Sequence, residues 1–517
     1  MGTYLGLDSS TQSLSALVID TDTNEVIYEK GVNFGEDLPE FNCPQGFLAH
    51  DDDLVRHSDP LMWCAAIDLL FGQMNDEGFD FSQIDCVSGS GQQHGSVYLN
   101  KSFLSGQWVN AVTVTDGIKP TLSRRTSPIW MDSSTSIECS EIADAVGGND
   151  VVRTKSGSSA IERFTGPQIR KFYKDSVDEY NNTAVIHLVS SFLASILAGS
   201  SVGIDLADGA GMNLLNLETA NWDKDLVEAT APGLMEKLPQ AVSSDSVVGT
   251  VSEYFVKNYG FSPECKINAW SGDNPNSLVG LGASEPGTIV ISMGTSDTFM
   301  AAFDKPVTDP NGYGHVFFNP ADGYMCLICF KNGSLAREIV KDEFDINWEQ
   351  FDTGSFGTTP AGNDGNMMVP FYFPEITPRT LESRVEFKGD DEFVNRKSFA
   401  KAVRAIAEAQ LMNMKINSEW TKADLKKIKV TGGASQCNGL CQTIADIFQT
   451  PVERFSVANS AGLGASIRAA HADKAGSWSE LIEAFFASAE NKQFSPDTST
   501  VGVYAEFEKK FAKFLGA

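Results

Sequence analysis

Residues 5–20 read LGLDSSTQSLSALVID, and residues 289–304 read IVISMGTSDTFMAAFD. Each stretch is an apolar run, a short polar turn and a second apolar run that ends on an aspartate. Residues 4–7 and 14–19 have the composition of strands, as do residues 288–292 and 298–303. A third strand, residues 26–28, follows the turn formers of residues 20–24. One plan occurring twice predicts two related domains. Outward from these stretches, Trp63, Ile67, Leu70, Phe71 and Met74 keep helical spacing, and residues 84–88 read as a buried strand. Phe399, Val403, Ile406, Ala407, Leu411 and Met414 form a second helical stripe. It is followed by strand 428–431, the pair Gly432 and Gly433, and a helix with Leu440, Ile444, Ile447 and Phe448 on one face. Alternating strands and helices predict an α/β protein whose sheets are covered by helices. The polar segment 243–246 puts the boundary near residue 250, giving domains 1–249 and 250–517.

The chain has 517 residues, with 39 Lys plus Arg against 68 Asp plus Glu, a net charge of −29. Such a surface repels phosphate backbones and anionic membranes, so neither nucleic acid nor membrane is an expected partner. The most apolar stretch, residues 188–199, contains Ser190, Ser191 and Ser195 and reads as a buried helix, too short to span a bilayer. The N-terminus opens directly into a strand pattern, with no signal peptide. Nine cysteines are scattered along the chain. Cys326 and Cys329 form a C-x-x-C in an apolar strand, where side chains three apart face opposite sides. They read as packing, and the chain as a reduced, cytoplasmic protein.

Thr11 and Gln12 in the first polar turn, and Gly294, Thr295 and Ser296 in the second, are short residues that let backbone N–H groups approach phosphate oxygens. Either turn alone reads first as a hairpin of turn formers; their recurrence in both halves reverses this in favour of the phosphate reading. Asp8, at a strand end, is placed to hold Mg²⁺ directly or through water. Gly432 and Gly433 sit between strand and helix, where a ligand approaches backbone closely. Asp273, in WSGDNPNSLVGL, fits a catalytic loop and equally a helix cap. His94 lies among Gln92, Gln93 and glycines, a setting suited to a hydroxylated ligand. Asp132 is a second carboxylate, with Trp130 beside it as an apolar wall. Arg163 suits either hydroxyl binding or a surface ion pair. Two G-L-G-A-S stretches, beginning at Gly280 and Gly462, read as close helix packing.

In chain order, LGLDSSTQS, SGSGQQHGSVY, SPIWMDSST, ERFTGPQI, DLADGAGMNLL, SGDNPNSLVGL, SMGTSDTF, CFKNGSLARE and VTGGASQCNG resemble the motifs of the FGGY carbohydrate kinases. The resemblance implies two ribonuclease H-like, actin-like ATPase domains flanking a central cleft. It implies ATP-dependent, Mg²⁺-assisted phosphorylation of a ketopentose, D-xylulose first, with another ketose or polyol as the alternative. The family likeness makes Asp273 the general base toward the sugar 5-hydroxyl, carried by the second domain. It makes Asp8 the acid near Mg²⁺ and the phosphates. His94, Arg163, Asn274, Gln93 and Asp132 fall on sugar-binding positions. Gly432, Gly433, Ala434, Ser435 and Asn438 fall on the adenosine stretch, and Trp348 on an aromatic near the adenine. Many sugar kinases carry Gly-Thr in the first loop, where this chain has Ser10-Thr11. The partners implied are sugar and ATP, on a monomer or homodimer. A different class with the same core, actin-like filament or chaperone ATPases, has no need of His94, Arg163 and the Asp273-Asn274 pair.

Overall fold

The strand Thr3–Ser9 is buried along nearly its whole length and lies inside the first sheet. It pairs antiparallel with Ser13–Asp20, which pairs antiparallel with Glu25–Asn33, so the expected meander is present. On its other side it runs parallel to Ile84–Gly91, with Asp8 opposite Ser90 and Ser9 opposite Gly91. The computed structural model describes residues 2–455, 457, 459–486 and 491–516. It divides into two units: residues 1–282, 316–324 and 459–488, and residues 283–315, 325–458 and 489–517.

In the first unit, Pro60–Asp76 starts at Asp59, whose carboxylate accepts from the Leu61 N–H at 2.9 Å. This cap and the proline at the first helical position set where the helix begins. Its face of Trp63, Ile67, Leu70, Phe71 and Met74 joins the apolar core with Leu5, Leu7 and Val87. Helix Ser460–Ala472 lies against the sheet at Gly6, where a Cβ would stand 2.2 Å from the Gly462 carbonyl oxygen. The two G-L-G-A-S stretches meet each other. A Cβ on Gly280 would lie 1.8 Å from the Ser460 oxygen, and one on Gly464 1.9 Å from the Asn276 oxygen. Only glycine permits this approach of helix Asp273–Gly280 to helix Ser460–Ala472.

The boundary falls near residue 282, beyond the expected 250. Strand Lys266–Asn268 runs parallel to Ile84–Gly91, and Ser271 and Gly272 pair with Ser90 and Gly91. Backbone pairing therefore holds residues 250–282, Asp273 included, in the first unit. Local polarity at residues 243–246 carries no information about that pairing.

The second unit repeats the plan. Thr288–Met293 pairs antiparallel with Asp297–Phe303 and parallel with Lys427–Thr431, which continues to Val452–Arg454 and Gln493–Phe494. Helix Phe399–Ser418 buries Val403, Ile406, Ala407, Leu411 and Met414, the stripe read from spacing. Cys326 is buried and Cys329 half-buried in strand Tyr324–Phe330. Among the described residues, no helix is long and apolar enough to cross a membrane.

Candidate active site

In the first unit, the ends of parallel strands converge on a set of polar groups. Asp8 closes one strand; Gln92, Gln93 and His94 follow the neighbouring one; Asp273 and Asn274 open helix Asp273–Gly280. Asn274 Nδ2 donates to Gln93 Oε1 at 2.9 Å and to Asp273 Oδ1 at 3.0 Å, and the Asn274 N–H donates to the same Asp273 oxygen at 2.8 Å. Burial pushes the Asp273 carboxyl up to about 7, with the negative charge of Asp8 adding to the effect and backbone donors opposing it. Burial also pushes Asp8 up to about 6. Asp273 is therefore half ionised near neutrality, where a general base works best.

Several buried polar atoms here lack a protein partner: Asp8 Oδ1, Ser9 Oγ, both amide atoms of Gln92, Gln93 Nε2 and Asp208 Oδ1. Buried polar groups are otherwise almost always paired, so such a group of orphans marks a place for a polar ligand. Gly272 keeps the space narrow: a Cβ there would stand 2.6 Å from Gln93 Cγ and 2.8 Å from Asp208 Oδ1.

His94 adopts a positive φ of 67°. Its ring stacks on Phe164 at 4.2 Å, and Nδ1 lies 2.8 Å from the Gly211 carbonyl oxygen. A carbonyl only accepts, so Nδ1 carries the proton. Burial, with the Arg163 charge adding to it, pushes the imidazole down to about 3. The ring is neutral, and its Nε2 is an acceptor for a hydroxyl. The Arg163 guanidinium lies 5.6 Å from the Phe164 ring centre, in the same neighbourhood.

Asp132 is engaged on both oxygens by protein donors. Its Oδ2 accepts from the Arg56 N–H at 2.9 Å; its Oδ1 accepts from the Ser134 N–H at 3.0 Å, Ser134 Oγ at 2.7 Å and Gln168 Nε2 at 2.7 Å. It is fully buried. Burial favours its neutral form, but these donors outweigh that and hold the carboxyl below its ordinary range. With both oxygens occupied by the protein, the carboxylate pins its own loop. Neighbouring Trp130 is 43% exposed and donates from Nε1 to Thr11 Oγ1 at 2.9 Å, so that hydroxyl already has a protein donor. Gln12 holds its turn through its carbonyl, which accepts from the Phe34 N–H at 2.9 Å.

In the second unit, a cavity of about 560 Å³ is lined by Trp348, Phe351, Asp352, Gly433, Ala434 and Leu440, among others. That volume and apolar lining suit a flat heterocycle. Gly432 has φ +87°, and a Cβ there would meet the Met293 oxygen at 2.6 Å; a Cβ on Gly433 would meet nothing within 4 Å. The first glycine is required by the backbone, and the second leaves an open wall. Ser435 is buried and donates to the Gly432 carbonyl at 2.7 Å. The Asn438 Oδ1 accepts from Arg454 at 2.9 Å and Lys492 at 2.8 Å, so that side chain is engaged by the protein. Gly294, Thr295 and Ser296 form the turn between Thr288–Met293 and Asp297–Phe303, and the Gly294 carbonyl accepts from the Ser334 N–H at 2.9 Å.

Sequence reading missed Asp208 and Asp352. Asp208 lies in the motif DLADGAGMNLL, where an acid among small residues is the available signal. Asp352 lines the cavity and accepts from the Asn438 and Gly439 N–H groups at 2.9 and 2.7 Å. Nothing in its own helix marks it.

Family models for the FGGY carbohydrate kinases match this chain, the N-terminal domain over residues 3–280 and the C-terminal domain over residues 289–472. The chain is 42% identical to the xylulose kinase of Mus musculus over 475 residues, covering 90% of this chain and 85% of that one. It is 39% identical to the xylulose kinase of Rattus norvegicus over 520 residues, covering 98% and 96%. The crystal structure of xylulose kinase from Rhodospirillum rubrum superposes with a TM-score of 0.83 at 16% identity, over 99% and 98% of the two chains. That likeness establishes the actin-like, two-domain α/β fold. Matched by both family models and by relatives over most of its length, the chain belongs to the FGGY family of carbohydrate kinases.

Proposed function

We propose that this sugar kinase transfers the γ-phosphoryl group of ATP to the 5-hydroxyl of D-xylulose, with Asp273 as the general base. The observation that carries the reading is the Asp273 carboxyl, lifted to about 7 in the same strand-end cluster as neutral His94, the unpaired amide of Gln92 and the unpaired Nε2 of Gln93. The identity of 39–42% with relatives named xylulose kinase supports the choice of sugar.

His94 Nε2 accepts from one sugar hydroxyl, while Arg163 and the Gln93 amide donate to sugar oxygens. The Asn274 amide fixes the orientation of the Asp273 carboxylate, leaving Oδ2 to take the proton from the attacking hydroxyl. The sugar oxygen then attacks the γ-phosphorus in line. Such transfers depend chiefly on positioning and on neutralising charge. Trp348, Gly433 and Ala434 hold the adenine, and the Gly294–Ser296 turn offers N–H groups to phosphate oxygens.

The residues present fit a divalent cation: Asp8 Oδ1 is buried and takes no hydrogen bond from the protein. Asp8 would hold Mg²⁺ directly or through water, with substrate phosphates completing its oxygen shell. When bound, the ion neutralises phosphate charge.

A coupled ADP-release assay across ketoses and polyols tests the proposal. D-xylulose is expected to give the highest kcat/KM. A polyol or a different ketose giving a tenfold higher value would overturn the substrate assignment, and ADP release independent of any sugar would overturn the kinase reading.

A further inference from the structure

The residue that ends the Gly294–Ser296 turn, Asp297, is acidic. An uncompensated carboxylate at that position would repel the phosphates the turn is proposed to receive. Arg337, on helix Ser334–Glu343, answers it with a two-pronged pair: Nη1 donates to Asp297 Oδ2 and Nη2 to Oδ1, both at 2.8 Å. Both residues are almost completely buried. Planar, paired contacts of this kind fix orientation as well as charge.

The same guanidinium reaches further. Nη2 donates to Ser334 Oγ at 3.0 Å, and Nη1 donates to Gln410 Oε1 at 2.9 Å, on helix Phe399–Ser418. Gln410 Nε2 in turn donates to the carbonyl oxygens of Asn332 and Gly333, at 2.6 and 3.0 Å. Gly333 closes the contact: a Cβ there would lie 2.8 Å from the Asp297 nitrogen, from Asp297 Oδ1 and from the Thr295 carbonyl oxygen. The turn is thus clasped between two helices through one arginine.

We infer that Arg337 is a positioning residue for nucleotide binding, holding the Gly294–Ser296 turn in its phosphate-receiving shape and cancelling the charge of Asp297. This rests on the reading of that turn as a phosphate loop. Arg337 itself touches no substrate; it acts through Asp297.

The test is calorimetric titration of the full chain with adenylyl imidodiphosphate and, separately, with D-xylulose. Arg337→Gln is expected to weaken nucleotide binding by about tenfold or more, because it leaves a buried carboxylate unpaired, while sugar affinity stays within about twofold. The double variant Arg337→Gln/Asp297→Asn, which removes both charges, is expected to recover most of the loss. Nucleotide affinity unchanged in Arg337→Gln, or a double variant no better than the single one, overturns the inference. If Arg337→Gln does not fold, Arg337→Lys is read instead. It keeps the charge without the fork, and unchanged nucleotide affinity there is equally fatal. Thr295→Pro, which removes one of the turn's N–H donors, distinguishes the two readings. Unaltered nucleotide binding in Thr295→Pro refutes the phosphate-loop reading itself, and weakened binding there beside an unaffected Arg337→Gln refutes only the role of Arg337.

Discussion

The negative charge of Asp8 is, after burial, the main influence lifting the carboxyl of Asp273 to about 7. Two acids on different elements of the first unit are therefore linked in their protonation. In the proposed mechanism the base form of Asp273 is the active one, so kcat/KM should rise with pH below about 7 and level above it. Asp8→Asn removes the repulsion and should move the rising limb to lower pH, while lowering the plateau. A pH–rate profile reads both effects; a limb that stays in place in Asp8→Asn would show the two carboxyls to be uncoupled.

Asp273→Asn should lose about 10²–10⁴ in turnover, the usual scale for a general base, and should gain stability above neutral pH. The folded-state pKa near 7 lies above the ordinary carboxylate value. Stability from the protonated form is full at low pH and lost as pH rises through about 7. At pH 8 the wild-type chain carries a buried charge that the amide lacks, worth a few kcal/mol at most at about 1.4 kcal/mol per unit. Melting temperatures at pH 5 and pH 8 check this. A variant less stable than its parent at pH 8 would assign Asp273 to helix capping.

His94→Asn keeps a residue type that tolerates the positive φ, so the fold should survive. The ring acceptor is lost, and leaving a sugar hydroxyl unpaired costs about 1–3 kcal/mol. KM for the sugar should rise by roughly one to two orders of magnitude, with KM for ATP little changed. Equal increases in both constants would count against a sugar contact.

Asp132→Asn should act on stability before affinity. The amide keeps one acceptor where Oδ1 and Oδ2 together take four donors, and it faces at least one N–H with another N–H. A fall of several degrees in melting temperature with sugar KM within about threefold is expected, on the scale of one to two lost buried hydrogen bonds. A large KM increase in a fully stable variant would return Asp132 to the sugar pocket.

Gly432→Ala and Gly433→Val should separate backbone need from ligand approach. The first adds a Cβ against the Met293 backbone at positive φ and should destabilise the chain. The second adds its side chain to open space on the cavity wall and should leave melting unchanged while weakening ATP binding. Titration of nucleotide alongside thermal melts distinguishes them. Normal ATP affinity in Gly433→Val would remove that wall from the nucleotide site.

Periodicity and composition made the elements legible. The helical stripes at Trp63–Met74 spacing and at Phe399–Met414 spacing are local patterns; both helices bury the faces those patterns name, with Phe399 at the start of the second half-buried. The repeated strand–turn–strand plan was legible for the same reason, since a hairpin is written in adjacent residues. The motifs likewise brought Asp8, Gln93, His94, Asp273 and Asn274 into view one by one.

Assignments that depended on partners distant in sequence needed the tertiary structure. Asp132 and Asp273 are both acids beside short polar residues, and sequence alone offers the same chemistry for each. Folding gives Asp132 to donors from Arg56, Ser134 and Gln168, and leaves Asp273 with burial and the charge of Asp8. The domain boundary moved for a similar reason, because strand Lys266–Asn268 pairs with a strand some 180 residues earlier. The sequence by itself determined which elements form and which polar residues are available. The tertiary structure decided which of those residues are satisfied and which are left for a ligand, because desolvation and hydrogen-bond saturation are set by neighbours in space.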